Sequence, residues 1–237
     1  MQAEQNVRTT YFSASAQPAG QVFRSDEPVH ITADRLQAHR ATGRARYEGR
    51  CRMWQGESVI QAAAVELFQN EKKLIASDKV TSIFVEQPKA ESGSAIKNQK
   101  EQSPLMITAE RLTYMDPERR AVYEGGVSAR NGFGTLRSDQ LQVFFTASGA
   151  SGSAQIERAL ATGKVIITQP GRRARSEQAE YFAAEDKIVL SGGSPIVEDE
   201  QRGSTTGRRL TFYLGDDRIA VDSEEGSRTL TKHRVAK

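Results

Sequence analysis

The sequence repeats itself at an offset of 76 residues. Residues 28–36 read PVHITADRL, and residues 104–112 read PLMITAERL. At the same offset, ARYEG at 45–49 corresponds to AVYEG at 121–125, and residues 61–68 correspond to 137–144. Three matching blocks in one register indicate a duplication. The chain is therefore predicted to consist of copies of one unit that must stack in order to bury an apolar face.

A shorter signature divides each half of the duplication. It has a small residue, a polar residue, any residue and an apolar residue, and it occurs at Ala33–Leu36, Ala62–Val65, Ala109–Leu112, Ser138–Leu141, Ser176–Ala179 and Gly207–Leu210. The two widest spacings contain the polar segment 87–103 and the Ala-, Ser- and Gly-rich segment 147–153, both typical of loops. Without them the unit is about thirty residues, which predicts six strand–turn–strand units.

The apolar residues within each unit alternate with a period of two. Between Arg44 and Met53, Ala45, Tyr47 and Cys51 share one face, and charged side chains occupy the other. This pattern indicates a strand with one buried and one solvated face, and no stretch shows helical periodicity. The sequence therefore predicts an all-β protein whose stacked hairpins form a wound sheet with unpaired strands at its two ends.

A glycine recurs at one place in the first strand of the unit, at Gly49, Gly125, Gly163 and Gly192. A lone glycine weakens a strand, so its recurrence suggests a bulge, a bend or the close approach of another group. A corner where the sheet curves is the favoured interpretation. Room for a ligand on the inner face is the alternative.

The predicted organisation has five parts. Residues 1–25 form an N-terminal extension of poor order, 26–86 a first repeat segment, 87–103 a flexible insertion, 104–230 a second repeat segment and 231–237 a basic tail. The first 25 residues contain no signal-peptide pattern. A net charge of +3 from 33 basic and 30 acidic residues gives no reason to expect nucleic-acid binding.

The residues give little support for an enzyme. His30, His39 and His233 have no metal-ligand spacing among themselves or with Cys51, so neither a metal nor a cofactor is expected. The single cysteine is interpreted as a small buried hydrophobic residue, and no catalytic residue is predicted. Elongated β-repeat folds do include polysaccharide-active enzymes, so a carboxylate pair on a concave face remains an alternative.

Two segments resemble the OstA-like lipopolysaccharide-transport family. The first is PVHITADRL at 28–36, followed by Thr42-Gly43 and Tyr47-Glu48-Gly49. The second is TGRRLTFYL at 206–214, followed by DRIAVD at 217–222. The likeness is to the LptA-like bridge proteins and covers nearly the whole chain. The chain is longer than a minimal bridge subunit, so a fused protein or a relative of LptC or of the LptD N-terminal domain stays open.

The resemblance implies an open β-jelly roll of V-shaped cross-section that carries lipopolysaccharide between two membranes in the periplasm. Its implied partners are lipopolysaccharide through its lipid A part, LptC-like and LptD-like components, and further copies of the chain joined head to tail. The acyl chains would lie in an apolar trough. The expected lipid-binding residues are Val29, Ile31, Leu36, Tyr47, Met53, Leu67, Leu112, Tyr123, Val127, Leu141, Val143, Val165, Ile167, Leu190, Ile196 and Phe212.

The sequence leaves open one alternative to a lipid carrier, which is a structural protein. If the two walls of the sheet close on each other, the inner residues are purely structural. The chain would then be a β-repeat assembly module that binds no lipid.

Overall fold

The structure is a computed structural model, and it describes residues 2–12, 27–85, 104–146, 155–214, 218–222 and 230–232. Two 3₁₀ turns lie at Arg40–Thr42 and Ala183–Glu185. The strands are β1 Gln2–Tyr11, β2 Val29–His39, β3 Arg44–Gln55, β4 Ser58–Phe68, β5 Lys73–Phe84, β6 Leu105–Met115, β7 Arg120–Asn131, β8 Gly134–Phe145, β9 Ile156–Gln169, β10 Arg172–Phe182, β11 Lys187–Ser191, β12 Ile196–Asp199, β13 Gly203–Thr206, β14 Arg209–Tyr213, β15 Arg218–Asp222 and β16 Leu230–Lys232.

These strands form one antiparallel sheet. From β1 to β11 each strand pairs with the next in sequence, and the sheet continues through β14 to β15. β12 pairs with β10 and β13, and β13 also pairs with β16. β5 and β6 are paired from Lys73–Met115 to Phe84–Leu105, so one sheet runs through both halves of the duplication. The predicted insertion 87–103 lies outside the described residues.

The alternation seen in the sequence determines which face of each strand is buried. In β3, Tyr47 and Met53 have no exposed surface, whereas the neighbouring Arg46 and Glu48 lie on the solvated face. The Arg46 guanidinium lies 2.7 Å from Glu48 and 2.9 Å from Glu66 on β4. Charged residues on the outer face thus pair across strands while the inner face stays apolar.

Each long strand bends at a bulge, and the bulges line up across the sheet. The pairing register shifts between Thr32 and Arg35 of β2, and a corresponding shift occurs in every neighbouring pair up to β9 and β10. β1 shifts in line with them, between Glu4 and Val7. Because a bulge bends its strand, the aligned bulges form a crease that crosses the sheet.

The recurring glycines lie in this crease. Gly49 has a φ of 77°, and a Cβ on it would lie 2.4 Å from Asp34 Oδ2 on β2. Gly125 has a φ of 82°, and its Cβ would lie 2.7 Å from Glu110 Cβ on β6. Glycine is needed both for the left-handed backbone and for the room that the carboxylate side chain takes. The interpretation of these glycines as a corner is confirmed.

The four-residue signature lies on the strand next to each crease glycine, at the same bulge. Its small residue is buried on the inner face at Ala33, Ala62, Ala109, Ser138 and Ser176. Its apolar residue is the next inner position on the far side of the bulge. The signatures fall on β2, β4, β6, β8, β10 and the start of β14. The prediction of an all-β wound sheet built from six strand–turn–strand units is confirmed.

The crease divides the sheet into two arms. The first arm contains the residues before the crease in β2, β4, β6, β8 and β10 and those after it in β1, β3, β5, β7 and β9. It continues into β12, β13 and β16. The second arm contains the other halves and continues into β11, β14 and β15. Beyond β10, no described strand belongs to both arms, so the sheet splits at this end.

The N-terminal residues differ from the expectation. Where an extension of poor order was predicted over residues 1–25, Gln2–Tyr11 form β1 and pair with β2 from Gln37 to Val29. Val7 is the buried residue of this strand, and Gln5 and Asn6 both have positive φ where the strand crosses the crease. Because β1 has one buried apolar side chain and its alternation is interrupted at the crease, no strand pattern was recognisable in its sequence.

Candidate functional site

The inner faces of the two arms meet in one apolar cluster, which we call the interior. Most of the residues expected to bind lipid belong to it, and each of these is less than 9% exposed. They are Val29, Ile31, Leu36, Tyr47, Met53, Leu67, Leu112, Tyr123, Val127, Leu141, Val143, Val165, Leu190 and Phe212.

The two other expected residues lie elsewhere. Ile167 is half-buried and packs against the edge of the cluster. Ile196 is not on the inner face: it pairs with the outward Arg175, and its neighbour Val197 is the buried member of the cluster. The chain turns through positive φ at Gly192, Gly193 and Ser194, so the alternation assumed from Leu190 onward is displaced by one residue.

Sequence reasoning missed the contribution of β5 to the interior. Leu74, Ala76, Val80 and Ser82 line it and are all nearly inaccessible to solvent. The signal was present, because these residues alternate on either side of the crease. It was obscured because Asp78 takes the left-handed position that glycine takes in β3, β7 and β9, with a φ of 63°, and Lys79 follows it with a φ of 57°.

A hydrogen bond joins the two arms at the β1 end. The hydroxyls of Tyr11 on the first arm and Tyr47 on the second are 3.0 Å apart. Their strand partners Val29 and Leu36 would be about 23 Å apart on a straight β2, so the hydroxyls can meet only because the sheet is folded at the crease. Burial, with a smaller contribution from Tyr47, raises the pKa of Tyr11.

A second polar pair lies deeper in the interior. Ser82 belongs to the first arm and Tyr123 to the second, and both are fully buried. Burial raises the pKa of Tyr123, and the Ser82 hydroxyl offsets part of that rise. Neither hydroxyl has a partner in good hydrogen-bond geometry. Two poorly satisfied hydroxyls make this a weak point in the apolar contact between the arms.

A narrow cleft opens between the arms where the sheet splits. It has a volume of about 80 Å³. The first arm contributes Phe133, Ile167, Gln169, Arg172 and Ala174, and the second arm contributes Ile188, Phe212, Tyr213 and Leu214. The cleft thus lies between residues of both arms, at the end where the sheet splits.

Arg172 forms the charged side of the cleft. Its guanidinium lies 2.9 Å from Asp199 on β12 and 5.9 Å from the ring centre of Phe212 on the second arm. Desolvation would raise the pKa of Asp199, but the backbone N–H groups of Arg202 and Gln201 and the Arg172 guanidinium hold it below its ordinary value. The pair therefore stays ionised at the boundary of the apolar interior.

The remaining candidates have structural roles. Cys51 is 2% exposed, as its interpretation as a small core residue predicted, and burial raises the pKa of its thiol to about 11. Within the described part of the chain, no three His, Cys, Asp or Glu residues are grouped so as to hold a metal ion. Nor does any helix there have the length and apolar character needed to span a membrane. His233 lies outside the described residues.

The fold and the interior define a class: a creased antiparallel sheet of the β-jelly-roll type that encloses an apolar space between its arms. The chain belongs to the LptA/(LptD N-terminal domain) LPS transport protein family, whose model matches residues 30–103 and 106–218. This is the family to which the sequence pattern pointed.

Two individual proteins also resemble the chain. Uncharacterized protein R00383 of Rhizobium meliloti (strain 1021) is 28% identical over 123 residues, which are 51% of this chain and 66% of that protein. The match thus spans just under two thirds of the relative's length. LptH of Pseudomonas aeruginosa, described as the LptA homologous periplasmic component of the lipopolysaccharide transport device, aligns with a TM-score of 0.46 at 17% identity. That alignment covers 57% of this chain and 94% of LptH.

Proposed function

We propose that this chain is a non-enzymatic periplasmic carrier of lipopolysaccharide that holds the acyl chains of the lipid between its two arms. The observation that carries the proposal is the continuous apolar interior, to which strands from β1 to β14 contribute. Family membership supplies the kind of cargo. Apolar chains placed there would be stabilised by about 25 cal/mol for each Å² removed from water.

Lipid binding requires the arms to move apart. Val29, Ile31 and Tyr47 have no exposed surface, and the cleft of about 80 Å³ is far smaller than an ordinary ligand site of roughly 300–1,000 Å³. The inner side chains therefore serve as the core in the closed form, and in the carrier form they would contact lipid. The split end is the expected place of opening, because no described strand joins the arms there.

Site-specific photocrosslinking tests this proposal. Tyr123 on the inner face and its neighbour Val122 on the outer face are replaced separately by p-benzoylphenylalanine, and each protein is irradiated with lipid A. A crosslink at position 123 and none at 122 is the expected result, because only the inner side chain would face acyl chains. Crosslinking at neither position, in protein shown by circular dichroism to be folded, would refute lipid binding in the interior.

The closed interior itself supports a second candidate, a β-repeat module that joins other proteins and binds no lipid. Native mass spectrometry of protein purified from Gram-negative membranes separates the two candidates. A carrier should retain a bound lipid of discrete mass, whereas an assembly module should appear at the mass of the polypeptide alone.

We also propose that the chain assembles head to tail through its edge strands, with further copies of itself or with LptC-like and LptD-like components. Among the described strands, β1 pairs with β2 and β15 pairs with β14, so each forms an edge of the described sheet. Such edges are templates for strand addition. Two single-cysteine chains in a Cys51→Ser background, Thr9→Cys on β1 and Ala220→Cys on β15, should crosslink when mixed. A Thr113→Cys chain, altered in the middle of the sheet, should not crosslink with Thr9→Cys.

A further inference from the structure

A cross-strand row of alternating basic and apolar residues runs along the edge of the second arm that lies farthest from the crease. We call this edge the rim. Each member is paired directly with the next, and the row is continuous across eleven strands. We call it the rim row. Its members are Arg44, Phe68, Lys73, Met115, Arg120, Phe144, Arg158, Phe182, Lys187, Tyr213 and Arg218.

The aromatic rings hold the cations of this row in place. The Lys73 ammonium lies 4.5 Å from the centre of the Phe68 ring, and the Arg158 guanidinium lies 4.2 Å from that of Phe144. Lys187 stands over Phe182 at 5.1 Å. Stems that lie across rings are already ordered, so less side-chain freedom is lost when their charged ends bind a ligand.

Three of the cations point towards the turns at the rim. The Lys73 ammonium pairs with Glu71, the Arg120 guanidinium lies 2.5 Å from Glu118, and the Lys187 ammonium lies 2.6 Å from Glu185. Each carboxylate stands two residues earlier, in the preceding turn. The next residue after each cation faces the interior: Leu74, Ala121 and Ile188. The three charges therefore lie on the outer face of the rim, each one residue away from a side chain that faces the interior.

The turn carboxylates are weak competitors for these cations. Glu71, Glu118 and Glu185 are each more than half exposed, so solvent screens their attraction for the cations, whose own side chains are 20–29% exposed. A phosphate carries more charge and more acceptor oxygens than one carboxylate, and it binds Arg and Lys through short charge-assisted hydrogen bonds. Cations on alternate strands are about 10 Å apart, so a headgroup with two phosphates has several cations within reach.

The described strands of the first arm have no comparable row. Their corresponding outer positions include Trp54, Val59, Ile83 and Met106. The Arg and Lys residues at these positions are Arg130, Arg173 and Lys232, and none of them is paired with an aromatic residue. The alternation on the second arm is therefore not a general property of this sheet. It distinguishes the outer edge of the second arm from that of the first arm.

We infer that the rim row binds the phosphate groups of lipids whose acyl chains lie between the arms. Lys73 and Arg120, on alternate strands about 10 Å apart, are the principal contacts of one headgroup, and Lys187, four strands beyond Arg120, offers a further contact position along the row. The inference rests on the proposed function and deepens it, because it assigns the headgroup to the second arm. The acyl chains enter the interior while the charged headgroup stays at the rim, on Arg120 and on Lys73 and Lys187, which lie over the rings of Phe68 and Phe182.

The experiment compares lipid A with its fully dephosphorylated form. The wild-type chain should bind lipid A about tenfold more tightly, and added salt should reduce the difference. A triple variant, Lys73→Gln, Arg120→Gln and Lys187→Gln, should lose most of this preference, while its affinity for the dephosphorylated lipid stays at the wild-type value. The matched control is Arg130→Gln, Arg137→Gln and Arg173→Gln, which removes the same charge from exposed positions on the first arm. It should keep the tenfold preference.

A second variant with the opposite expected effect distinguishes loss of phosphate binding from loss of folding. Glu71→Gln, Glu118→Gln and Glu185→Gln together remove the competing carboxylates, so this protein should prefer lipid A by more than the wild type does. If the row only stabilised the sheet, this variant would show no increase in its preference for lipid A.

Other outcomes are informative. If the triple variant keeps the preference, the inference is wrong while the carrier function stands. If neither lipid binds to the wild type, the proposed function itself fails. Binding of phosphatidylglycerol vesicles that depends on the row but is not displaced by lipid A would make the row a membrane-docking surface and overturn the inference.

Discussion

The two adjacent glycines at the crease of β7 serve different purposes. Gly125 has a φ of 82° and faces Glu110, whereas Gly126 has a φ of 59° and no atom within 4 Å of the place where its Cβ would be. Left-handed backbone costs a non-glycine residue about 1–2 kcal/mol, and forcing a side chain into occupied space costs a further 1–3 kcal/mol or so. The crease therefore needs glycine most where a carboxylate side chain packs against the backbone.

Alanine substitutions should separate these two effects. Gly126→Ala should lower the free energy of unfolding by about 1 kcal/mol and Gly125→Ala by about 2–4 kcal/mol. Urea unfolding of both variants provides the measurement. Equal losses would mean that the contact with Glu110 contributes nothing. In that case Glu110→Gly, which removes the obstructing side chain, should also fail to rescue Gly125→Ala.

The thiol of Cys51 should be almost inert in the folded chain. Burial raises its pKa from 9 to about 11, so the thiolate fraction at pH 8 is about a hundredfold lower than for an ordinary thiol. Because the protonated form is favoured in the fold, the stability from this group is complete below pH 9 and declines as the pH rises from 9 towards 11. Labelling with a chromogenic disulfide at pH 8 should be slow in buffer and rapid in urea. Rapid labelling of the native protein would contradict the burial of Cys51.

At the scale of elements, β1 is the strand that ties the two arms together at one end. Tyr11→Phe leaves the buried hydroxyl of Tyr47 without its partner, which should cost roughly 1–3 kcal/mol. Tyr47→Phe should have a similar cost. The double variant should cost clearly less than the sum, because it leaves no orphaned hydroxyl. Strict additivity in urea unfolding would show that the hydroxyls are not coupled.

The repeating elements were predicted well from the sequence because the same pattern recurs in each unit. The signature at Ala33–Leu36 and the glycine at Gly49 proved to be the two sides of one bulge, and the alternation around Tyr47 identified the inner face. Where an element departs from the pattern, prediction failed. β5 crosses the crease without glycine, and the turn before Ile196 displaces the alternation by one residue. Both outcomes depend on backbone conformation that side-chain periodicity does not encode.

The site was predictable only as a set of inner residues. Whether the walls meet depends on how sharply the crease folds, and no single residue specifies that angle. The rim row was also hidden, because its members are far apart in sequence. Phe144 and Arg158, for example, become neighbours only through the register of β8 and β9. Long-range register is set by the whole sheet, so neither property could be read from a local pattern.

At the scale of the molecule, the two ends of the sheet are unequal. From β2 to β10 every strand crosses the crease, so each arm is tied to the other through continuous backbone. Beyond β10 the arms separate into β11, β14 and β15 on one side and β12, β13 and β16 on the other. β12 and β13 have four residues each, and Val197 is their only fully buried residue. Local opening is easiest where strands are short and little apolar surface is buried.

Hydrogen exchange should therefore reveal an opening that begins at the split end. Without lipid, the amides of β12, β13 and β14 should exchange at least tenfold faster than those of β4 to β8, which have strand neighbours on both sides in both arms. Lipid A should slow exchange first around Ile188 and Phe212, because these residues line the cleft through which the acyl chains would enter. Mass spectrometry of peptic fragments resolves the two regions. If protection were uniform along the sheet and lipid A slowed exchange first near Tyr11 and Tyr47, the arms would open from the β1 end, and the cross-arm tyrosine pair would be the gate.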